Sequence, residues 1–204
     1  IHAAESLLIA RTLMRPSVYF HHVSRIAESM LAYALHEHLR EGGDLPALMA
    51  MDDAEFLLEL RRSRSAAAWR MAEAVYRRQL FKRALYVGSD RVNVAALQSE
   101  SGYASSRRFA QDIAERASLD EGEVLVDIPP MPRDMAVQVR VQNRHTATVL
   151  EELSPLITTL NETRRQQWRM GVYVPAHHRD KVEAAATEVF HVKKPTRQDK
   201  LPVE

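Results

Sequence analysis

The chain has 204 residues, 46% of them apolar and 27% charged, which suits one large domain or two small ones around a substantial core. Its 28 basic and 27 acidic residues nearly cancel and cysteine is absent. That excludes a whole-molecule polycation, a disulfide scaffold, a thiolate metal site and a cysteine nucleophile. No run of about 18 apolar residues and no basic stretch leading an apolar core occurs, so a soluble, cytoplasmic protein is expected.

The chain opens IHAAESLLIARTLM, already at helical spacing and without a cap, which suggests that further residues precede it. Ala4, Leu7, Leu8, Arg11 and Met14 share the spacing of a helix over 1–15. Arg15-Pro16 is expected to interrupt it, because the residue before proline is pushed out of the helical region, and Ser17 can cap the next helix. That second helix, over 18–40, lines up Val23, Ile26, Met30, Leu31 and Leu35. EGGD at 41–44 ends it. Asp52-Asp53-Ala54-Glu55 reads as a capping box before Phe56, Leu57 and Leu60. Ser63 or Ser65 opens a fourth helix that reads on to about Arg83.

The pattern then changes. ALYVG at 84–88, EVLVDIPP at 123–130, the alternating MAVQVRVQ at 135–142 and WRMGVYVPA at 168–176 read as four strands. Between them fall a short helix at Val94–Glu100 and a helix capped by Ser105 or Ser106 and running to Ala117. A helix from His145, broken at Ser154-Pro155, resumes over Leu156–Gln167. His177–Phe190 reads as the last helix, and the polar tail from His191 as disordered. The expected fold is mainly α with an α+β C-terminal half. A helical part covers 1–83, a small four-stranded α+β subdomain 84–190, and a tail 191–204.

Nine histidines raise the question of a metal. H-E-x-x-H is absent. His36 and His38 point about 200° apart on a helix, and His177-His178-Arg179-Asp180 at a strand-to-helix junction reads as polar capping. There is no P-loop, G-x-G-x-x-G, G-x-S-x-G or C-x-x-C, so no catalytic constellation stands in the pattern alone. The basic residues are more suggestive: eight arginines and lysines lie between Arg61 and Arg83 against one acid, Glu73. Arg78 and Lys82, four apart, would share a helix face and converge on an anion, although a solvated face gives the same pattern. Nucleic acid is disfavoured, since the strands EVLVDIP and VQVRVQ carry no aromatic on which a base could stack.

The block AESLLIARTLMRPSVYFHHVSRIAESML, followed in order by DDAEFLLEL, YRRQLFKRALYVG and EVLVDIP, resembles the HD-superfamily phosphohydrolases. The related enzymes are the bacterial dNTP triphosphohydrolases and the vertebrate SAM-and-HD-domain dNTPase. The resemblance implies a substrate-binding role for Arg11, Tyr19 and His21: an arginine on phosphate, a tyrosine lining the nucleotide pocket, and the histidine of the Y-x-H pair. It implies a regulatory nucleotide role between subunits for Arg78 and Lys82, on the R-x-L-F-K segment. Where that family has lysine after the Y-x-H histidine, this chain has His22, a cation only when protonated. The family's H…HD…D metal ligands precede the matching block, and no His-Asp dipeptide occurs here. The resemblance therefore implies a C-terminal portion of an enzyme whose divalent metal is held elsewhere, inactive alone, with dNTP or GTP-like nucleotides as ligands and a homo-oligomeric parent. A stand-alone regulatory or oligomerisation module that binds no nucleotide is the alternative.

Overall fold

The computed structural model describes residues 2–99, 102–134, 140–142, 147–149 and 154–193, with backbone alone at Tyr19, over 140–142 and at 147 and 149. Helix α1 spans His2–Met14 and passes directly into a π-helical turn, Arg15–Tyr19. Pro16 does not break the chain here but widens it: the Phe20 amide reaches back five residues to the Arg15 carbonyl at 2.7 Å. Ser17 does not cap the next helix; its hydroxyl bonds back to the Leu13 carbonyl. Helix α2, His22–Arg40, instead starts after His21, which has extended backbone and makes no side-chain cap.

A short α3, Leu45–Met49, has Asp44 as its cap and was not legible as a helix. Helix α4, Asp53–Arg61, carries the expected capping box, with Asp52 accepting from the Ala54 and Glu55 amides and Glu55 accepting from the Asp52 amide. Helix α5, Ala66–Tyr76, is capped by Ser65 but does not reach Arg83. It stops because Arg78 turns left-handed at φ 57°. The Gln79 amide then bonds to the Ala74 carbonyl and the Arg78 amide to the Val75 carbonyl, a Schellman closure. Arg78 and Lys82 therefore do not share a helix face.

Strand β1, Lys82–Gly88, is followed by α6, Val94–Ser99, and α7, Tyr103–Ala117. Helix α7 starts two residues before the serines expected to cap it. Then come β2 (Leu125–Asp127), a hairpin of β3 (Arg140–Gln142) and β4 (Ala147–Val149), α8 (Leu156–Gln166), β5 (Arg169–Val174) and α9 (Arg179–Val189). The expected four-stranded sheet is thus a three-stranded antiparallel sheet of order β1-β5-β2 with a separate two-stranded hairpin. The helix read from His145 is corrected by the strand at Ala147–Val149, whose partner is 140–142. The remainder of the 135–142 strand and the tail from 194 lie outside the described residues.

The sheet is the middle of three layers. Val124, Val126, Met170, Val172 and Val174 pack on α7 and α9 with Ile113 and Val182, all 8% exposed or less. From the other face Leu125 and Tyr173 pack on α2, α4 and α5 with Met30, Leu60 and Ala72. This is the alternation a doubly covered strand requires. Polar bonds pin the layers together. Arg25 of α2 forks onto Asp127 of β2, one bond being Nε to Oδ2 at 2.9 Å, and the Tyr173 hydroxyl donates to the same carboxylate at 3.2 Å. Gly122, at φ +89°, runs under the Tyr33 hydroxyl so closely that a Cβ there would collide with the ring.

Candidate functional site

A groove of about 950 Å³ opens between the N-terminal turn of α2, the α5–β1 connection and the start of α9. Its wall includes Arg78, Lys82, Arg83, Arg91 and Arg179, with His22, against the single carboxylate of Glu183. The floor is apolar, from Ile26, Val75, Leu80 and Leu85. Local structure sets this charge pattern. The left-handed turn at Arg78 swings the chain off α5, and a register shift between Arg83 and Leu85 interrupts strand alternation. Because of that bulge, Ala84 and Leu85 are both buried while Lys82 and Arg83 are both exposed. So Arg78 and Lys82, expected on one helix face, instead line the groove from the two ends of a turn.

His22 is pushed below the ordinary imidazole range, first by burial and then by the neighbouring Arg83 and His21. Its ring lies 4.4 Å from that of His21. The rest of the basic run behaves differently. Glu73 accepts from both Arg61 and Arg77 at 2.6 Å, and these two bonds hold its carboxyl below the usual range. Arg61 also stacks on Tyr76, 3.8 Å from the ring centre. Glu73 thus offsets part of the charge of Arg61 and Arg77. Arg62, Arg64 and Arg70 are exposed away from the groove, and Arg78, Lys82 and Arg83 line it.

Of the three residues of the expected substrate wall, Arg11 and His21 do not line that groove. Arg11 is exposed on α1, His21 is exposed at the head of α2, and the side chain of Tyr19 lies outside the described residues. Sequence reasoning passed over Arg91 and read Arg179 only as part of a polar cap; both reach the groove from stretches distant in sequence. His36 and His38, set aside as metal ligands, have other partners: Arg107 points at His36 Nδ1 from 2.7 Å, and Ser63 bonds to His38 at 2.9 Å.

A second cleft, about 430 Å³, lies between α2, α7 and β2. Its ionic groups are already matched to one another, Arg25 with Asp127 and Glu28, Arg107 with Glu37 and Glu121. It offers no spare charge to a ligand, whereas the groove does. Among the described residues no three His, Asp or Glu side chains converge as a metal's ligands would. No helix among them is long and apolar enough to cross a membrane.

A family model for the HD associated region matches residues 1–201. The chain belongs to that family. An uncharacterized protein of Methanocaldococcus jannaschii is 27% identical over 190 residues, covering 86% of this chain and 38% of the relative. The crystal structure of a hypothetical protein from Aquifex aeolicus shares the fold, with a TM-score of 0.59 at 22% identity, over 90% of this chain and 44% of that one. The chain thus spans about two fifths of the proteins it matches, and an HD-associated region is by its description a companion of an HD domain.

Proposed function

We propose that this HD-associated region is the nucleotide-responsive portion of a metal-dependent, dNTP triphosphohydrolase-like enzyme. The groove binds the phosphates of a regulatory dNTP or GTP-like nucleotide through Arg78 and Lys82, with Arg83 and Arg179 on the same wall. Arg11, Tyr19 and His21 contribute one wall of the substrate pocket, which the HD portion completes with the metal and its ligands. The observation that carries this reading is five permanent cations around one groove against one carboxylate. Such a lining costs free energy through like-charge repulsion unless an anion occupies it, and guanidinium forks match phosphate oxygens.

The reading is tested by calorimetric titration of the chain with dGTP and dATP, with and without Mg²⁺, repeated on Arg78→Glu. Saturable binding that the substitution abolishes is the expected result. Binding unaffected by Arg78→Glu, or no heat from either nucleotide, overturns the groove as a nucleotide site on this chain. The exposed apolar side of α1, with Leu7 70% and Leu13 61% exposed, favours a complementary role as a docking face for the HD portion or a second subunit.

A further inference from the structure

The sheet order β1-β5-β2 leaves β2 hydrogen-bonded on one side only, and among the described residues no other strand pairs with its outer side. In an antiparallel ladder successive residues turn their N–H and C=O alternately toward the partner strand and away from it. The groups of β2 that turn away from β5 face the cleft of about 430 Å³, whose lining includes the whole stretch from Val124 to Ile128. That stretch has defined ends. The Glu123 amide is taken by the Asp120 carbonyl, and Pro129 and Pro130 carry no N–H to donate.

The free edge is recessed. Val124, Leu125, Val126 and Asp127 are each 9% exposed or less, with α2 on one side of the cleft and α7 on the other. Buried backbone groups are nearly always paired, because an unmatched one forfeits its hydrogen bond to water. The walls beside the edge carry small side chains, Ser29 and Ala32 from α2 and Ser106 and Ala110 from α7, which leaves a slot for one extended chain. A second copy meets an obstacle in bringing its own β2 there, since that strand lies equally deep between the same two helices. Leu125 turns to the α2 side and Val126 to the α7 side. An added strand therefore has apolar surface on both faces for its alternating side chains.

Charge complementarity narrows the occupant further. The charged lining residues are Arg25 and Arg107 against Glu28, Glu121 and Asp127, and each of the five already stands in an ion pair. A phosphate or an acidic chain finds no free cation there, whereas an uncharged segment displaces none of these bonds. We infer that β2 binds an extended, uncharged segment of a partner protein by strand addition, which makes the sheet four-stranded. This site is independent of the nucleotide reading of the groove, which lies along the opposite edge of the sheet, at β1.

The probe is an acetylated, amidated peptide of about five residues alternating threonine and valine, matched to the free ladder at 124–128. It is titrated into the chain and followed by NMR shifts and amide hydrogen exchange. Exchange within 124–128 is expected to slow about tenfold or more at saturation. The same peptide N-methylated at its internal amides keeps the side chains but loses the donors, and is expected to bind about tenfold more weakly or not at all. Ala32 is exposed on the α2 wall, so Ala32→Phe is expected to fill the slot and abolish binding while holding the melting temperature. Arg78→Glu is expected to leave peptide binding unchanged. Equal binding of the N-methylated peptide overturns strand addition in favour of a plain apolar pocket. Binding that survives Ala32→Phe, or that is lost in Arg78→Glu, puts the peptide elsewhere and overturns the site, as does no binding at all. Slow exchange in the free chain that grows with its own concentration, together with a dimer in sedimentation, gives the edge to a second copy and overturns the partner segment. Should Ala32→Phe fold poorly, exchange at 124–128 in the unsubstituted chain decides alone, and rates unchanged by the peptide refute the site.

Discussion

Arg78→Gly should make the protein more stable and at the same time less able to bind nucleotide. Arg78 sits at φ 57°, the position after the last turn of α5 where glycine is favoured. A side chain in the left-handed region costs about 1–2 kcal/mol, and glycine returns about 0.5–1 kcal/mol of that through the larger entropy of its unfolded chain. The side chain is exposed, so little packing is lost. The net gain is about 1 kcal/mol, a rise in melting temperature of about 2–4 °C for a chain of this size. Arg78→Ala keeps a Cβ and therefore keeps the strain. Urea unfolding of the wild type, Arg78→Ala and Arg78→Gly, paired with dGTP titration, checks both halves. Equal stability of the alanine and glycine variants would remove the strain argument. An unchanged dGTP affinity in the glycine variant would remove Arg78 from the site.

Ser118 at φ 50° and His191 at φ 47° close α7 and α9 in the same left-handed way, so Ser118→Gly should gain a similar increment in urea while leaving dGTP affinity alone. Asp127→Ala strands the half-buried Arg25 and should cost about 3 kcal/mol in the same assay; a loss under about 1 kcal/mol would show that the pair does not tie α2 to the sheet. His22 protonates only below its ordinary value of 6.5. It is therefore neutral at pH 7 and becomes an added cation beside Arg83, Arg78 and Lys82 as pH falls. Pyrophosphate affinity at the groove should rise below pH 6.5 and stay flat in His22→Gln. Glu37 is pushed up by burial but pulled further down by its bond to Arg107, ending below 4.5. A depressed carboxylate contributes stability that is present above 4.5 and lost as pH falls beneath it. The urea midpoint should therefore drop below pH 4.5, less steeply in Glu37→Gln.

Local rules made part of the fold legible. The capping box at Asp52–Glu55 and the Ser65 cap are complete within four residues of sequence, and both helices start where those signals stand. The end of α5 could not be read because its stop signal is missing: arginine occupies the place of the expected glycine, so VYRRQLFKR looks like continuing helix. Ala147–Val149 is a strand only because 140–142 pairs with it, a contact that no window of sequence contains. Arg78 and Lys82 were singled out by their four-residue spacing and by resemblance, and they line one groove wall without sharing a helix face. The company of Arg91 and Arg179 there was not legible, since each acquires its neighbours only when separate helices and strands pack.

A net charge of +1 conceals a segregation that the fold creates. Several acids are tied to particular cations: Asp127 and Glu28 to Arg25, Glu37 to Arg107, Glu73 to Arg61 and Arg77, Asp134 to Arg165. Such pairs lie within layers or along single helices, where they fix packing and register. In the groove beside the N-terminal turn of α2, by contrast, Arg78, Lys82, Arg83, Arg91 and Arg179 face the single carboxylate of Glu183. The phosphate site proposed there would account both for that excess and for an arginine at the left-handed position 78, where glycine would be less strained.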